Sequence, residues 1–415
     1  MSEKTKGSNA AIYLIGILFF IFGFITWANS QLIPYLKIAC ELTTTQSYLV
    51  ATAFFAAYFF MAIPSSWVLQ KTGFKNGMSV GLFVMSAGAL LFIPAAQSRN
   101  YALFLTGLFV IGTGLALLQT ASNPYVTVLG PIESAAKRIS IMGICNKIAG
   151  ILSVYVLGSI TLSNVDELKT KLLTLNAEEK ALELNALAAR VITPYTIIAI
   201  SLAVLGLIFL KLHLPEIKEE ESVVTNQDRG SIWQYPQLLW GAVAIFFYVG
   251  VEVISYDTFS SYGESLGFPL SVAKGFATYT GYCLLAGYIV SIVLIPKYIS
   301  QRKALIIATR MSMILILSTI FLKGYGAVAC FALLGFTNSV MWPAIWPLAI
   351  DGLGKHTKTG SAFLIMGIVG GAILPPIYGA FAESLQSKPV ACAVIMVISY
   401  TVIQLYAKKD WTKTN

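Results

Sequence analysis

The sequence predicts an all-α membrane protein of twelve transmembrane helices, and three observations carry that prediction. Apolar residues form 57% of the 415-residue chain and charged residues only 11%; with a mean hydropathy of +0.75, the chain lacks the polar surface a soluble protein of this length needs. Apolar runs of about 20 residues, the length that crosses a bilayer, recur from end to end. Basic residues sit in short clusters between those runs, as loops of a polytopic protein do.

Read in order, the predicted spans are 11–36, 47–70, 76–96, 101–127, 138–162, 193–213, 236–262, 273–295, 304–322, 325–350, 360–382 and 387–407. The first run is too long for the apolar core of a signal peptide and no small-residue cleavage site follows it, so it is expected to stay as span 1. Thirty-three glycines suit close helix packing, and the 12% of aromatic residues suit membrane interfaces. The net charge of +9 forms no continuous stripe, so nucleic acid is not expected as a partner. The five cysteines, at 40, 145, 283, 330 and 392, show no metal-ligand spacing and read as packing residues.

Two stretches are polar. Residues 163–192, rich in Leu, Glu, Ala and Lys, predict a short amphipathic helix over a membrane surface. Residues 214–235, with Glu219, Glu220 and Glu221, read as a linker between an N-terminal bundle of six helices (1–213) and a C-terminal bundle of six (236–415). With both termini in the cytoplasm, 17 Lys and Arg fall on that side and nine on the other, four of them in the fifth loop. The positive-inside rule favours that orientation. Ile141-Met142-Gly143-Ile144 recurs as Ile365-Met366-Gly367-Ile368, and Asn123-Pro124 is echoed by Trp346-Pro347, at offsets of 224 and 223 residues. That echo supports two parallel repeats around a midplane site.

Polar groups in hydrocarbon are costly and face the bundle interior. Helical spacing groups them into stripes: Trp27, Ser30, Gln31 and Pro34, with Asn29 beside them; Gln119 and Asn123; Gly143, Asn146, Lys147 and Gly150; Asn338, Trp342 and Trp346. Amides that donate and accept, next to flat aromatic surfaces, match the hydroxyls and the C–H face of a sugar ring. The plainer alternative is that the amides tie helices together and the tryptophans fill the core. Three charges lie inside predicted spans: Lys147 in the first half, Glu252 and Asp257 in the second. The acids are five residues apart, roughly 140° around a regular helix, so they converge only if span 7 is locally unwound. Arg310 is expected to snorkel to the cytoplasmic face, and Glu264 and Glu383 to be solvated at helix ends. His213 and His356 fall in or beside cytoplasmic loops, and no nucleophile motif, phosphate loop or metal cluster is visible, so no enzyme is predicted.

At these residues the chain resembles the fucose permease and glucose/galactose transporter family of the major facilitator superfamily, nearly end to end. The likeness is carried by NPYVTVLGP (123–131), RISIMGICNKIAG (138–150), Tyr248-Val249-Gly250-Val251-Glu252 and GSAFLIMGIVGGAILPPIYG (360–379). The loop Gln70 to Lys75 looks like a degraded form of the superfamily's acidic-basic gating motif, with Gln70 where an aspartate is usual. Proton-coupled fucose permeases carry an aspartate in the first helix and a glutamate in the fourth, where this chain has Ser30 and Gln119, neither able to titrate. The resemblance to the glucose/galactose branch therefore implies a major facilitator fold importing a hexose by alternating access, with Na+ as coupling ion and no other cofactor. Trp27, Asn29, Gln31, Gln119, Asn123, Asn146, Asn338, Trp342 and Trp346 would contact the monosaccharide. Lys147, Glu252 and Asp257 would form the charge network, with a Na+ site as the one metal site considered. Proton symport through Asp257 or Glu252 is the alternative reading; a non-transporting sugar sensor is a more distant one. A monomer in the bacterial inner membrane is expected.

Overall fold

Hydrophobic length dictates the architecture: among its described residues the computed structural model contains twelve helical segments long and apolar enough to cross a membrane. It describes residues 2–128, 135–212, 234–295, 297–351, 353 and 357–409, without the side chains of 2–12, 66, 70, 123–128, 135–140, 357–359, 361 and 362. Spans 1 to 4 are Tyr13–Ala39, Thr44–Leu69, Lys71–Gln97 and Tyr101–Ser122, and spans 5 and 6 are the helices 141–161 and Ile192–Lys211 within the longer helical runs Ile141–Leu172 and Ala177–Lys211. Spans 7 to 12 are Pro236–Asp257, Leu270–Leu294, Gln301–Phe321, Gly324–Ile350, Phe363–Ser384 and Lys388–Lys408. Each overlaps a run predicted from hydropathy. Gln70, Asn123, His213 and His356, and nearly all of the predicted linker 214–235, lie outside the described side chains or residues.

Spans 1, 7 and 10 are among those interrupted. Span 1 divides into Ser2–Trp27 and Asn29–Ala39, the helix of span 7 into Pro236–Asp257 and Phe259–Ser265, and span 10 into Gly324–Asn338 and Met341–Ile350. The same contact recurs at these three breaks. Ser30 Oγ donates to the Trp27 carbonyl (2.8 Å), Thr258 Oγ1 to Ile254 O (2.8 Å) and Ser339 Oγ to Phe336 O (2.7 Å). A hydroxyl that takes up a carbonyl of the preceding turn lets the backbone stay hydrogen-bonded in hydrocarbon. Backbone bonds do run on across the kinks, for example Leu32 N to Ala28 O and Tyr262 N to Thr258 O.

The two halves repeat one packing motif. A Cβ on Gly23 would sit 1.9 Å from the Asn146 carbonyl oxygen, and a Cβ on Gly370 would sit 1.8 Å from that of Phe246. Gly23 and Phe246 are 223 residues apart and Asn146 and Gly370 are 224 apart, the same spacings as the sequence echo. Span 1 thus touches span 5 backbone to backbone as span 7 touches span 11, with the glycine moved to the opposite helix. Only a residue without a Cβ permits either approach.

The stretch 163–192 forms two short helices, Val165–Leu172 and Ala177–Ala189. Asn176 caps the second: its Oδ1 accepts from Glu179 N (2.9 Å) while Glu179 Oε2 accepts from Asn176 N (3.3 Å). The Tyr35 hydroxyl reaches the Leu187 and Ala188 carbonyls at 3.1 and 2.8 Å and docks that helix on span 1.

An even number of spans puts both termini on one face, and several contacts join the halves on the opposite one. Asp166 accepts from the Leu270 and Ser271 amides (3.1 and 3.0 Å), and Lys169 pairs with Glu264 (2.5 Å). Glu383 accepts from Thr45 N and Oγ1 (2.9 and 2.8 Å). Glu264 and Glu383 therefore hold partners in the other half, where simple solvation was expected of helix ends. Lys274 donates to the Gly158 and Leu162 carbonyls (3.2 and 2.8 Å), capping the end of the span 5 helix. All five cysteines are free and Arg310 is exposed.

Candidate functional site

The two halves meet through charge. Lys147 of span 5 donates to Glu252 of span 7 at 3.0 Å, with both side chains about a tenth exposed or less. The same ammonium lies 4.1 Å from the centre of the Trp27 ring. Trp27 in turn donates from Nε1 to Asn146 Oδ1 (3.2 Å) and packs its ring 4.2 Å from that of Tyr256. Spans 1, 5 and 7 are thereby joined through one lysine and one indole.

Asp257 stands at the kink of span 7, 1% exposed, and neither of its carboxylate oxygens has a hydrogen-bond partner. It lies within electrostatic reach of both Glu252 and Lys147. Helix 236–257 stays regular up to Asp257 and bends at Thr258, so the acids are not brought onto one face by unwinding between them. Glu252 takes the lysine and Asp257 is left without a direct ion pair. Among the described residues no group of three or more His, Cys, Asp or Glu is arranged to hold a metal ion.

The amides predicted to meet a substrate are placed unequally. Both polar atoms of the Asn29 side chain are buried without partners, as is Gln31 Oε1. Gln31 Nε2 donates across the halves to the Lys274 carbonyl (2.9 Å). Gln119 is half-buried and donates to the Tyr58 hydroxyl (2.9 Å); Asn146 also donates to Phe19 O (3.4 Å). The break in span 10 separates Asn338 from the tryptophans that share its predicted stripe. Asn338 is fully buried, donating to Ser255 Oγ (3.3 Å) and accepting from Tyr400 (3.0 Å), whereas Trp342 and Trp346 stack at 5.2 Å and stay half-buried. Tyr248 packs 6.2 Å from Trp342.

Tyr58, Tyr248, Tyr256, Ser255 and Tyr400 were not anticipated from sequence. A signal existed for two of them: Tyr248, Glu252 and Tyr256 recur every four residues, one face of span 7.

The sequence profile of the Major Facilitator Superfamily matches residues 15–376. The chain belongs to that superfamily. It is 37% identical over 415 residues to the glucose/galactose transporter of Brucella abortus, covering 98% of this chain and 95% of the relative. The L-fucose-proton symporter of Escherichia coli is 31% identical over 411 residues, covering 97% and 93%. Among solved structures, the fucose permease FucP in its outward conformation superposes with a TM-score of 0.75 at 30% identity, covering 97% of this chain and 99% of that one. The chain thus has the major facilitator fold, two six-helix bundles in a membrane, and the relatives named here are transporters.

Proposed function

We propose that this protein is a proton-coupled hexose symporter that imports a sugar of the glucose or galactose class by alternating access. The observation that carries the reading is the charge cluster between the halves: one lysine faces two carboxylates, and Asp257 is the group left over. A buried carboxylate in hydrocarbon needs a counter-cation; Lys147 serves Glu252, so Asp257 carries the coupling ion. Sodium was expected from the glucose/galactose likeness. The relatives whose names state an ion, the L-fucose symporters of E. coli and Haemophilus influenzae, are proton symporters, and this supports the proton.

The hexose sits between Gln119 and Asn146 on one side and Trp342 and Trp346 on the other, with Asn29 and Gln31 completing the polar lining. The half-buried tryptophan stack offers the flat apolar surface that a pyranose needs. Bundles 1–213 and 236–415 rock about this site as a monomer, joined by a cytoplasmic linker over 214–235, with both termini in the cytoplasm of a bacterial inner membrane. The contacts of Asp166, Lys169, Lys274 and Glu383 then close the periplasmic side and must part for sugar to enter.

Asp257→Asn tests the coupling role in proteoliposomes. It is expected to abolish uphill hexose accumulation driven by a proton gradient while leaving sugar counterflow intact. Undiminished accumulation in that variant would remove Asp257 from the coupling step.

A further inference from the structure

Trp27 was expected to be a sugar platform, but its surroundings assign it a different task. The Lys147 ammonium lies over its ring, Tyr256 packs against the indole, and its N–H is committed to Asn146. The ring is also locked from below. A Cβ on Gly150 would sit 2.4 Å from Trp27 Cδ1, so the glycine forms a socket into which the indole fits. The repeat fills the equivalent joint differently. Trp27 is spaced from Gly250, and Gly150 from Leu374, as Gly23 is from Phe246 and Asn146 from Gly370. There the knob and socket are exchanged, with Leu374 Cδ1 2.2 Å from where a Gly250 Cβ would be. The second half fills the same joint with an aliphatic side chain; the first half fills it with an indole carrying a cation on its face.

We infer that Trp27 is a positioning residue that holds the Lys147 ammonium against Glu252 and keeps it off Asp257, so that Asp257 stays available to the coupling ion. A quadrupole attracts an ammonium without adding a second full negative charge to the site. The lysine therefore stays fixed while the net charge of the cluster still calls for one more cation. With the ring removed, Lys147 is free to swing between the two carboxylates and to compete with the proton at Asp257. This role rests on the coupling scheme proposed above, but the contact itself can be tested without any sugar.

Three variants separate the possibilities. Trp27→Leu keeps apolar bulk without a π face, Trp27→Phe keeps a face without the N–H, and Gly150→Ala displaces the indole while leaving every charged group in place. Trp27→Leu is expected to lower proton-driven accumulation about tenfold, the scale of a desolvated cation–π contact, and to shift the pH profile of uptake. The equilibrium Kd for hexose should change by less than about threefold. Trp27→Phe should retain most of the wild-type pH profile, and Gly150→Ala should reproduce the Trp27→Leu shift. A hexose Kd raised about tenfold or more with an unchanged pH profile would overturn the inference in favour of a sugar platform.

The sugar-independent arm is a thermal-unfolding cycle of Trp27→Leu, Lys147→Met and the double variant in detergent. The inference predicts Tm shifts that do not add; additive shifts overturn it even if hexose transport is established. Non-additive shifts in a protein that moves no hexose would uphold the contact and refute the transport reading alone.

Discussion

Replacing Lys147 by Met would leave Glu252 buried without its cation while keeping most of the aliphatic volume. At the observed separation of 3.0 Å and an effective dielectric constant near 20, the attraction lost is about 5.5 kcal/mol. Removing one partner of a buried pair typically costs roughly 3–5 kcal/mol, because the other charge is stranded. Glu252→Gln should be costly for the mirror reason, stranding the lysine between Trp27 and Asp257. The double variant Lys147→Met/Glu252→Gln strands neither and should return to within about 1 kcal/mol of the parent, since a buried pair can be replaced by apolar or neutral groups with little net loss. Thermal unfolding of the four purified proteins in one detergent reads this cycle. Two single variants that fall by several degrees and a double variant that recovers would match the geometry. Single-variant losses that simply add in the double would refute a direct pair between the halves.

Three further outcomes follow from other parts of the fold. Gly23→Ala pushes a methyl to 1.9 Å from the Asn146 carbonyl and should destabilise by at least the roughly 1–3 kcal/mol of an overpacked core, whereas Gly16→Ala, whose nearest neighbours are at 3.9 and 4.0 Å, should unfold with the parent; equal Tm values for both would contradict the close approach of spans 1 and 5. Asp166→Ala removes two hydrogen bonds to a charged acceptor, worth roughly 1.5–3 kcal/mol each at most, and should populate conformations open on the loop-163–192 side; spin-label distances between that loop and residue 268 that do not lengthen would count against a gate there. Gln119→Ala should weaken hexose binding by about threefold to tenfold, the scale of one hydrogen bond, and unchanged binding by calorimetry would take Gln119 out of the site.

The spans were legible because membrane insertion is governed by apolar length, a property that a linear sequence displays directly. The amphipathic stretch 163–192 and the repeat were legible too, and the structure ties the repeat to a physical cause in the paired contacts Gly23 with Asn146 and Phe246 with Gly370. The kinks were not. Pro34, the residue that would suggest a bend in span 1, lies six residues beyond the break at Ala28, and the hydroxyls of Ser30, Thr258 and Ser339 that bond back at the breaks do so no differently from those of Thr120, Ser255 and Thr309 inside unbroken helices. Missing the break in span 10 merged Asn338 with Trp342 and Trp346, which face different surroundings. The direction of the indole was hidden for a similar reason. Trp27 shares a stripe with polar neighbours whether it meets a sugar or a lysine, and only the placement of span 5 decides between them. Glu264 and Glu383 sat at helix ends, where sequence spacing gives no hint of a partner more than ninety residues away.

Uptake of labelled glucose and galactose into proteoliposomes, with a proton gradient or a sodium gradient imposed separately, decides between proton and sodium symport. Accumulation above equilibrium is expected with the inward proton gradient, with collapse on adding a protonophore and indifference to sodium. Accumulation that follows the sodium gradient alone, or no hexose movement under either gradient, would contradict proton symport of a hexose.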